Sequence, residues 1–384
     1  MEIKNCRVCH QPLFDEPVLQ YNNMPKSAQF LPDIDMLSED KGVDIAVCQC
    51  SGCGLIQLNN EPVHYYKEVI RAAGLSNEMN TFRRKQFSKW IELYNLEDKK
   101  LIEIGCGAGE YLKLMQENKV DAYGIEYGLD SIKSCHKDSL IVNRDYIDTP
   151  NHNLINGPFD AFYMLNFLEH IPEPNEVLQG IQNNLLDGAI GLIEVPNFDM
   201  ILRKNLFSEF ISDHLFYFTK ATFTATLNRN GFDVLECNET WHDYSLSAIV
   251  KKRSQTDLSS FSNIQMKLAN ELDDFISQFS DDSVAIWGAG HQALTVMSLT
   301  CLEGKIKYVV DSAPFKQNRY TPATHIPIVA PGSIVSDPVE AILIMAASYS
   351  KEVSQIIRKE YSSSIKVAIL TEDGLEIAEE FRKK

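Results

Sequence analysis

The stretch "LIEIGCGAGEYLKLM", residues 101–115, constrains this chain more than any other. An apolar run ends in an acid, Glu103, and glycines at alternate positions, Gly105, Gly107 and Gly109, then passes straight into a helical pattern. Glycines let such a turn bend sharply and bring backbone close to a ligand. One strand later "YGIEYG" ends in Glu126, where a carboxylate accepts bonds from both hydroxyls of a ribose. Strand, glycine turn, helix and acid-tipped strand open a parallel sheet covered by helices. Taken alone, the glycines do not choose between nucleotide ligands.

The pattern continues. Strands are expected at "KLIEIGC", "DAYGIEY", "LIVNRD", "FDAFYML" and "GLIEVPN", with helical runs between them. It becomes irregular after Pro196 and resumes with a helix at "TKATFTATLNRNG", stopped by Gly231. "FDVLECN" and "SLSAIVKK" then complete the sheet. Upstream, residues 63–95 read as a helical bridge. Downstream, a polar helix over 253–280 leads to a second β-α start, "SVAIWGAGHQAL", so 281–384 reads as a smaller Rossmann-like domain.

Residues 1–62 have a different character. Of nine cysteines, five fall within the first 53 residues, and Cys6, Cys9, Cys50 and Cys53 form two C-x-x-C pairs. Two such knuckles suit one tetrahedral ion, and four thiolates leave no position for water, so a structural zinc is expected. Cys48 is left over. A net charge of −17 without a local basic patch gives no attraction to a phosphate backbone, so nucleic acid is not an expected partner. "MEIKNCRVCH" has no apolar signal region and "AILIMAA" is too short to span a bilayer, which points to the cytoplasm and away from membranes. A monomer or small homo-oligomer is expected.

Three details separate the glycine loop from a dinucleotide site. An acid precedes the first glycine, "NRDYID" puts Asp145 at a third strand end, and "FDAFYMLNFLEHIPEP" follows as a fourth. With these, residues 96–252 resemble a class I methyltransferase: a doubly wound α/β sheet, here flanked by the zinc module and the C-terminal Rossmann-like domain. The resemblance implies S-adenosylmethionine as cofactor. Glu103, Gly105, Gly107, Gly109, Glu126, Tyr127, Asp145 and Asn166 would bind it. Asp145 read alone is also an ordinary loop acid, and His170 in "LEHIP" reads as a structural histidine.

The order of cysteine knuckles, methyltransferase core, "DHLFYFT" and "GAG…VVDSAPFKQNRYTPATHIPI" is similar to that of the nucleotide-sugar C-methyltransferases of deoxysugar biosynthesis. That family implies a nucleotide-linked 4-keto-6-deoxy sugar as substrate. A base removes the proton beside the ketone, and the enolate carbon takes the methyl group. His214 falls on the base position, with Asp213 to orient it or bind substrate and Tyr217 nearby. An imidazole near its ordinary pKa suits that task.

The chain departs from the family where Ile211 stands in place of a tyrosine and Asp213 in place of a glutamate. Tyr65 and Tyr66 stand somewhat earlier than the family's tyrosines, and Arg71 is a candidate anion-stabilising donor. In the C-terminal domain, which the resemblance expects to close over the site, Lys316, Arg319 and His325 are candidate phosphate partners. "IWGAGHQAL" lacks a third glycine, yet Asp311 ends the next strand, so NAD stays an alternative there. Methyl transfer to oxygen or nitrogen, or a non-catalytic zinc- and nucleotide-binding module, are the competing readings.

Overall fold

A computed structural model describes residues 3–29, 31–68 and 76–378, which form two compact units, 1–255 and 256–384. Arg71 lies outside the described residues.

The first unit holds two sheets. The smaller begins with β1 (Leu19–Met24), β2 (Val43–Gln49) and β3 (Ile56–Leu58), all antiparallel. After α1 (Asn77–Tyr94) the larger sheet is laid down by β4 (Lys100–Ile104), α2 (Glu110–Gln116), β5 (Asp121–Glu126), α3 (Leu129–Lys137), β6 (Ile141–Arg144), β7 (Phe159–Leu165), α4 (Pro174–Asn183) and β8 (Leu185–Pro196). There follow α5 (Phe198–Lys204), β9 (Phe216–Tyr217), α6 (Lys220–Arg229), β10 (Phe232–Thr240) and β11 (Ser245–Lys252).

The larger sheet runs β10-β11-β8-β7-β4-β5-β6. Strands β4 to β8 are mutually parallel and β11 is antiparallel to both neighbours. The order reverses between β4 and β7, which opens a crevice at their carboxyl ends, where ligands bind in sheets of this kind. β7, "FDAFYML", is almost wholly buried and reads as a continuous apolar run, as a central strand covered on both faces must.

Helix α1 starts at Ser76, whose side chain accepts from the Met79 amide, and ends at left-handed Asn95. Its buried residues Arg83, Phe87, Trp90 and Ile91 make one stripe against the sheet. Of the expected helical bridge, Asn77–Tyr94 is helix and His64 to Lys67 form a turn. Thr219 caps α6 in a reciprocal box with Thr222, and Gly231 follows it at φ +80°.

The region irregular in sequence proves to be the join between the sheets. β9, from "DHLFYFT", pairs antiparallel with β3 and becomes the fourth strand of the small sheet. One hydrophobic core runs from Cys6, Val8 and Leu55 to Phe162, Phe216 and Phe232.

The second unit begins with α7 (Ser259–Ile276). Its sheet is built from β12 (Val284–Trp287), β13 (Tyr308–Val310), β14 (Arg319–Tyr320), β15 (Pro327–Val329), β16 (Ala341–Ile344), β17 (Lys366–Thr371) and β18 (Gly374–Ile377), ordered β14-β15-β13-β12-β16-β17-β18. Helices α8 (His291–Leu299), α9 (Ser333–Ser336) and α10 (Ser350–Glu360) connect it, and the four strands β13, β12, β16 and β17 are parallel. No described helix is long and apolar enough to cross a membrane.

Candidate active site

The crevice contains a cavity of about 700 Å³ lined at one end by Gly105, Gly107 and Ala108. Gly107 has φ +55°, and the place of a side chain there is open space, so this backbone is bare towards the cavity. Glu126, at the end of β5, ties the loop down: Oε2 accepts from the Gly107 amide (2.9 Å), and Oε1 from Tyr127 (2.9 Å) and Gly128 (2.7 Å). Burial raises its pKa against the pull of those three amides. Glu103 lies beneath the loop, 2% exposed, and its charge adds to burial in raising the pKa of the Tyr163 phenol.

A narrow slot continues past Gly105, between Ile104, Glu126, Tyr127, Asp145, Tyr146 and Phe167. Asp145 accepts from the Tyr146 amide at 2.8 Å and meets His152 Nε2 at 2.7 Å. Lys67 also lines the slot, its ammonium 4.5 Å from the centre of the Tyr146 ring. Tyr66 packs edge-on against Tyr146, so it belongs to this side and not to the far wall.

That far wall carries Glu169 and His170, in a turn after β7, with Asp213 and His214 from the segment before β9. Asn166, at φ +53°, lines the cavity between the two ends. The imidazoles of His170 and His214 meet edge to face, 4.7 Å between centres. His170 Nδ1 donates to the Asp213 carbonyl at 2.7 Å, which leaves its Nε2 as the unprotonated nitrogen. Glu169 Oε1 stands 3.8 Å from that Nε2.

Burial sets the protonation of this group. It raises the Glu169 carboxyl to about 8 and lowers His170 to about 4. It lowers His214 to about 3, with His170 adding to the effect. The ordinary imidazole expected from sequence is therefore corrected: His214 reaches the cavity but is closely packed, and its charged form is disfavoured.

Asp213 does not face the imidazole with its carboxylate. Oδ1 accepts from the Tyr65 hydroxyl at 2.5 Å and Oδ2 from the Ala28 amide at 3.0 Å. Tyr65 shares a further bond with Ser27, 2.8 Å. The Tyr217 hydroxyl is likewise committed, accepting from the Ile211 amide (2.9 Å) and donating to its carbonyl (3.3 Å). Both tyrosines thus hold the His214 segment in place.

Sequence reasoning missed three contributors. His170, read as structural, adjoins His214, and Glu169 stands beside it. Arg83 lines the opposite wall from α1, 2% exposed and paired at 2.5 Å with Glu194 on β8. The adjacent acid and imidazole in "LEHIP" were the available signal for the first two.

At the N-terminus the Sγ atoms of Cys6, Cys9, Cys50 and Cys53 lie within 4.8 Å of one another, with Cys6–Cys53 at 3.7 Å and Cys9–Cys50 at 3.3 Å. Ligands of a tetrahedral zinc–thiolate centre stand about 3.8 Å apart. Amides of Val8, Cys9, Gly52 and Cys53 point at Cys6 or Cys50 sulfur, as in a metal knuckle. Burial pushes the Cys53 thiol up to about 11 and Cys6 higher, so these sulfurs ionise when a cation compensates them. The donor set fits a metal ion.

In the second unit Asp311 accepts from the amides of Ala289 and Ala313 and from Lys316 Nζ, each at 2.9 Å. Lys316 is therefore ion-paired, whereas Arg319 and His325 are exposed.

Residues 79–237 match the family model of a methyltransferase domain, and residues 251–368 that of a C-methyltransferase C-terminal domain. The chain is 21% identical over 385 residues to C-methyltransferase NovU of Streptomyces niveus, covering 91% of each. It is 26% identical to a ubiquinone biosynthesis O-methyltransferase of Acinetobacter baylyi, over 35% of this chain and 61% of that one. A solved S-adenosylmethionine-dependent methyltransferase of Clostridium acetobutylicum aligns at TM-score 0.38 and 13% identity, covering 50% of this chain and 97% of that one. The strand order, the two domain matches in sequence and a relative spanning nine-tenths of both chains place this protein among the S-adenosylmethionine-dependent C-methyltransferases.

Proposed function

We propose that the enzyme methylates the carbon beside the ketone of a nucleotide-linked 4-keto-6-deoxy sugar, with His214 as the base. The observation that carries this reading is a single cavity with a bare glycine loop at one end and two neutral imidazoles at the other. Its volume of about 700 Å³ is in the upper part of the range for small-molecule sites.

S-adenosylmethionine, when bound, supplies an electrophilic methyl group. Glu126 would hold the ribose, the slot by Tyr127 and Asp145 the adenine, and the loop through Gly109 with Asn166 the amino-acid end. Glu103 supports the loop from below. The chain's own task is to make a carbon nucleophilic.

His214 takes the proton from the substrate carbon. Its low basicity in the free enzyme does not prevent this. Proton transfer creates imidazolium and enolate side by side, and the two charges offset each other's burial. Asp213, tied to Tyr65 and Ala28, is a positioning residue: it fixes the backbone that presents His214. Zinc on the four cysteines would staple the small sheet to which that segment is paired.

The test is incubation of full-length enzyme, S-adenosylhomocysteine and nucleoside-diphosphate 4-keto-6-deoxyhexoses in deuterated water. Exchange of the proton beside the ketone, abolished by His214→Ala with S-adenosylhomocysteine affinity retained, is the expected result. Similarity to O-methyltransferases keeps a heteroatom acceptor as the second reading. Methyl transfer without exchange would select it.

A further inference from the structure

Glu169 is 1% exposed and lines the cavity beside both imidazoles, and its Oε2 has no hydrogen-bond partner among the described residues. An isolated carboxylate is among the costliest groups to bury, and it normally finds a cation or several donors. Here its own backbone amide is a donor to the carboxyl, and among the described residues no cation or second donor joins it. On its own turn, His170 gives its only N–H to the Asp213 carbonyl. On β8, Glu194 is taken up by Arg83. From the segment leading into β9, Asp213 is held by Tyr65 and Ala28, Tyr217 by Ile211, and the Leu215 amide bonds the Glu169 carbonyl, not its carboxyl. His214 is neutral, and Tyr244, ahead of β11, donates to Glu209.

We propose that Glu169 is a catalytic residue that works as a neutral carboxylic acid, donating its Oε2 hydrogen to the substrate oxygen on which enolate charge develops. This assignment rests on the carbon-methylation reading above. An acid kept neutral by an apolar site is an effective oxyanion donor, because it supplies a strong hydrogen bond without a charge of its own. The phenols of Tyr65 and Tyr217, already committed, do not fill that role.

The electron count closes. As His214 takes the C–H proton, the bonding pair becomes C=C and the carbonyl π pair moves onto oxygen, held there by the Glu169 hydrogen. When the carbon forms its new C–C bond to the methyl group, the S–CH₃ pair stays on sulfur and the carbonyl reforms. Glu169 keeps its proton throughout, and His214 passes the one it gained to solvent. Because Glu169 is protonated below about 8 and loses the proton above it, the rate should fall as pH rises through that value.

The experiment uses the full-length enzyme with S-adenosylhomocysteine bound, and compares wild type with Glu169→Gln and Glu169→Ala. The infrared difference spectrum of wild type minus Glu169→Gln should show a carboxylic-acid carbonyl band near neutral pH, replaced by carboxylate bands well above the group's pKa. With a nucleoside-diphosphate 4-keto-6-deoxyhexose, Glu169→Ala should lower kcat by about 10²–10³. Glu169→Gln, which still donates, should recover most of that loss and abolish the fall near pH 8.

Carboxylate bands at neutral pH would overturn the proposal, as would Glu169→Gln matching Glu169→Ala. So would a divalent-cation requirement that Glu169→Gln removes, since Glu169, His170 and His214 together also form a possible metal-ligand set. Failure of the carbon reading shows separately, as wild-type methyl transfer without solvent exchange. Failure of the Glu169 assignment shows as exchange that Glu169→Ala leaves untouched.

Discussion

Arg83 and Glu194 form a buried ion pair in the cavity wall, 2% and 0% exposed and 2.5 Å apart. Gln86 joins them, accepting from Arg83 at 2.6 Å and donating to Glu194 and to Ser247. Removing one partner leaves the other charge buried without compensation, which costs about 3–5 kcal/mol. Arg83→Met strands the carboxylate and Glu194→Gln strands the guanidinium. In the double variant neither charge remains, and Gln86 can still bond an amide at position 194. Its cost should be about 1–2 kcal/mol, mostly lost hydrogen bonding. The coupling energy of the cycle is then at least about 4 kcal/mol.

For a unit of this size each kcal/mol moves Tm by about 2–4 °C. Each single variant should therefore melt about 6–20 °C early, and the double variant should recover most of the loss. Thermal unfolding by circular dichroism reads all four proteins, and calorimetry with S-adenosylhomocysteine checks that the cavity wall survives. A double variant no more stable than the sum of the singles would refute the pairing. So would single variants within 1 kcal/mol of wild type by the same measure.

Further outcomes follow from the site. His214, with a pKa near 3, is already neutral in mild acid, so the rate should stay level from about pH 7 down to about pH 5; a loss centred near 6.5 would mean a solvated imidazole. The same depression acts on the fold: the unfolded chain binds protons that the buried imidazoles refuse, so stability declines as pH falls below about 6.5 towards 3, seen by acid titration of Tm. Tyr65→Phe removes the phenolic donor from Asp213, costing about 1.5–3 kcal/mol and lowering kcat more than it changes cofactor affinity. Cys50→Ser should reduce the zinc found by mass spectrometry of the purified protein and lower turnover along with it; full zinc content would remove Cys50 from the ligand set.

Much of the glycine-loop end of the cavity was legible because it is local. The glycine turn, the acid at the end of β5 and the alternation of strands and helices lie within short windows of sequence, where period and turn chemistry decide the structure. The four cysteines were equally plain from spacing. The far wall was not. His170 and His214 come from separate stretches of chain, and nothing local says that a histidine in a turn after β7 will touch one before β9. The two-residue β9 has no periodicity to detect; its partner β3 supplies its identity. The depressed basicity of His214 also escaped, because it arises from packing by elements far away in sequence. The expected helix over 63–95 shows a related limit: a helical pattern extended it past the cap at Ser76.

β9 has one more consequence. Its pairing with β3 makes the position of the imidazole a property of two distant parts of the gene product at once. A hybrid that borrowed only the methyltransferase core from a relative would seat a foreign edge strand against a native partner, shifting His214 within the cavity wall. Exchange of residues 43–58 together with 206–219 therefore keeps β9 with its own partner β3.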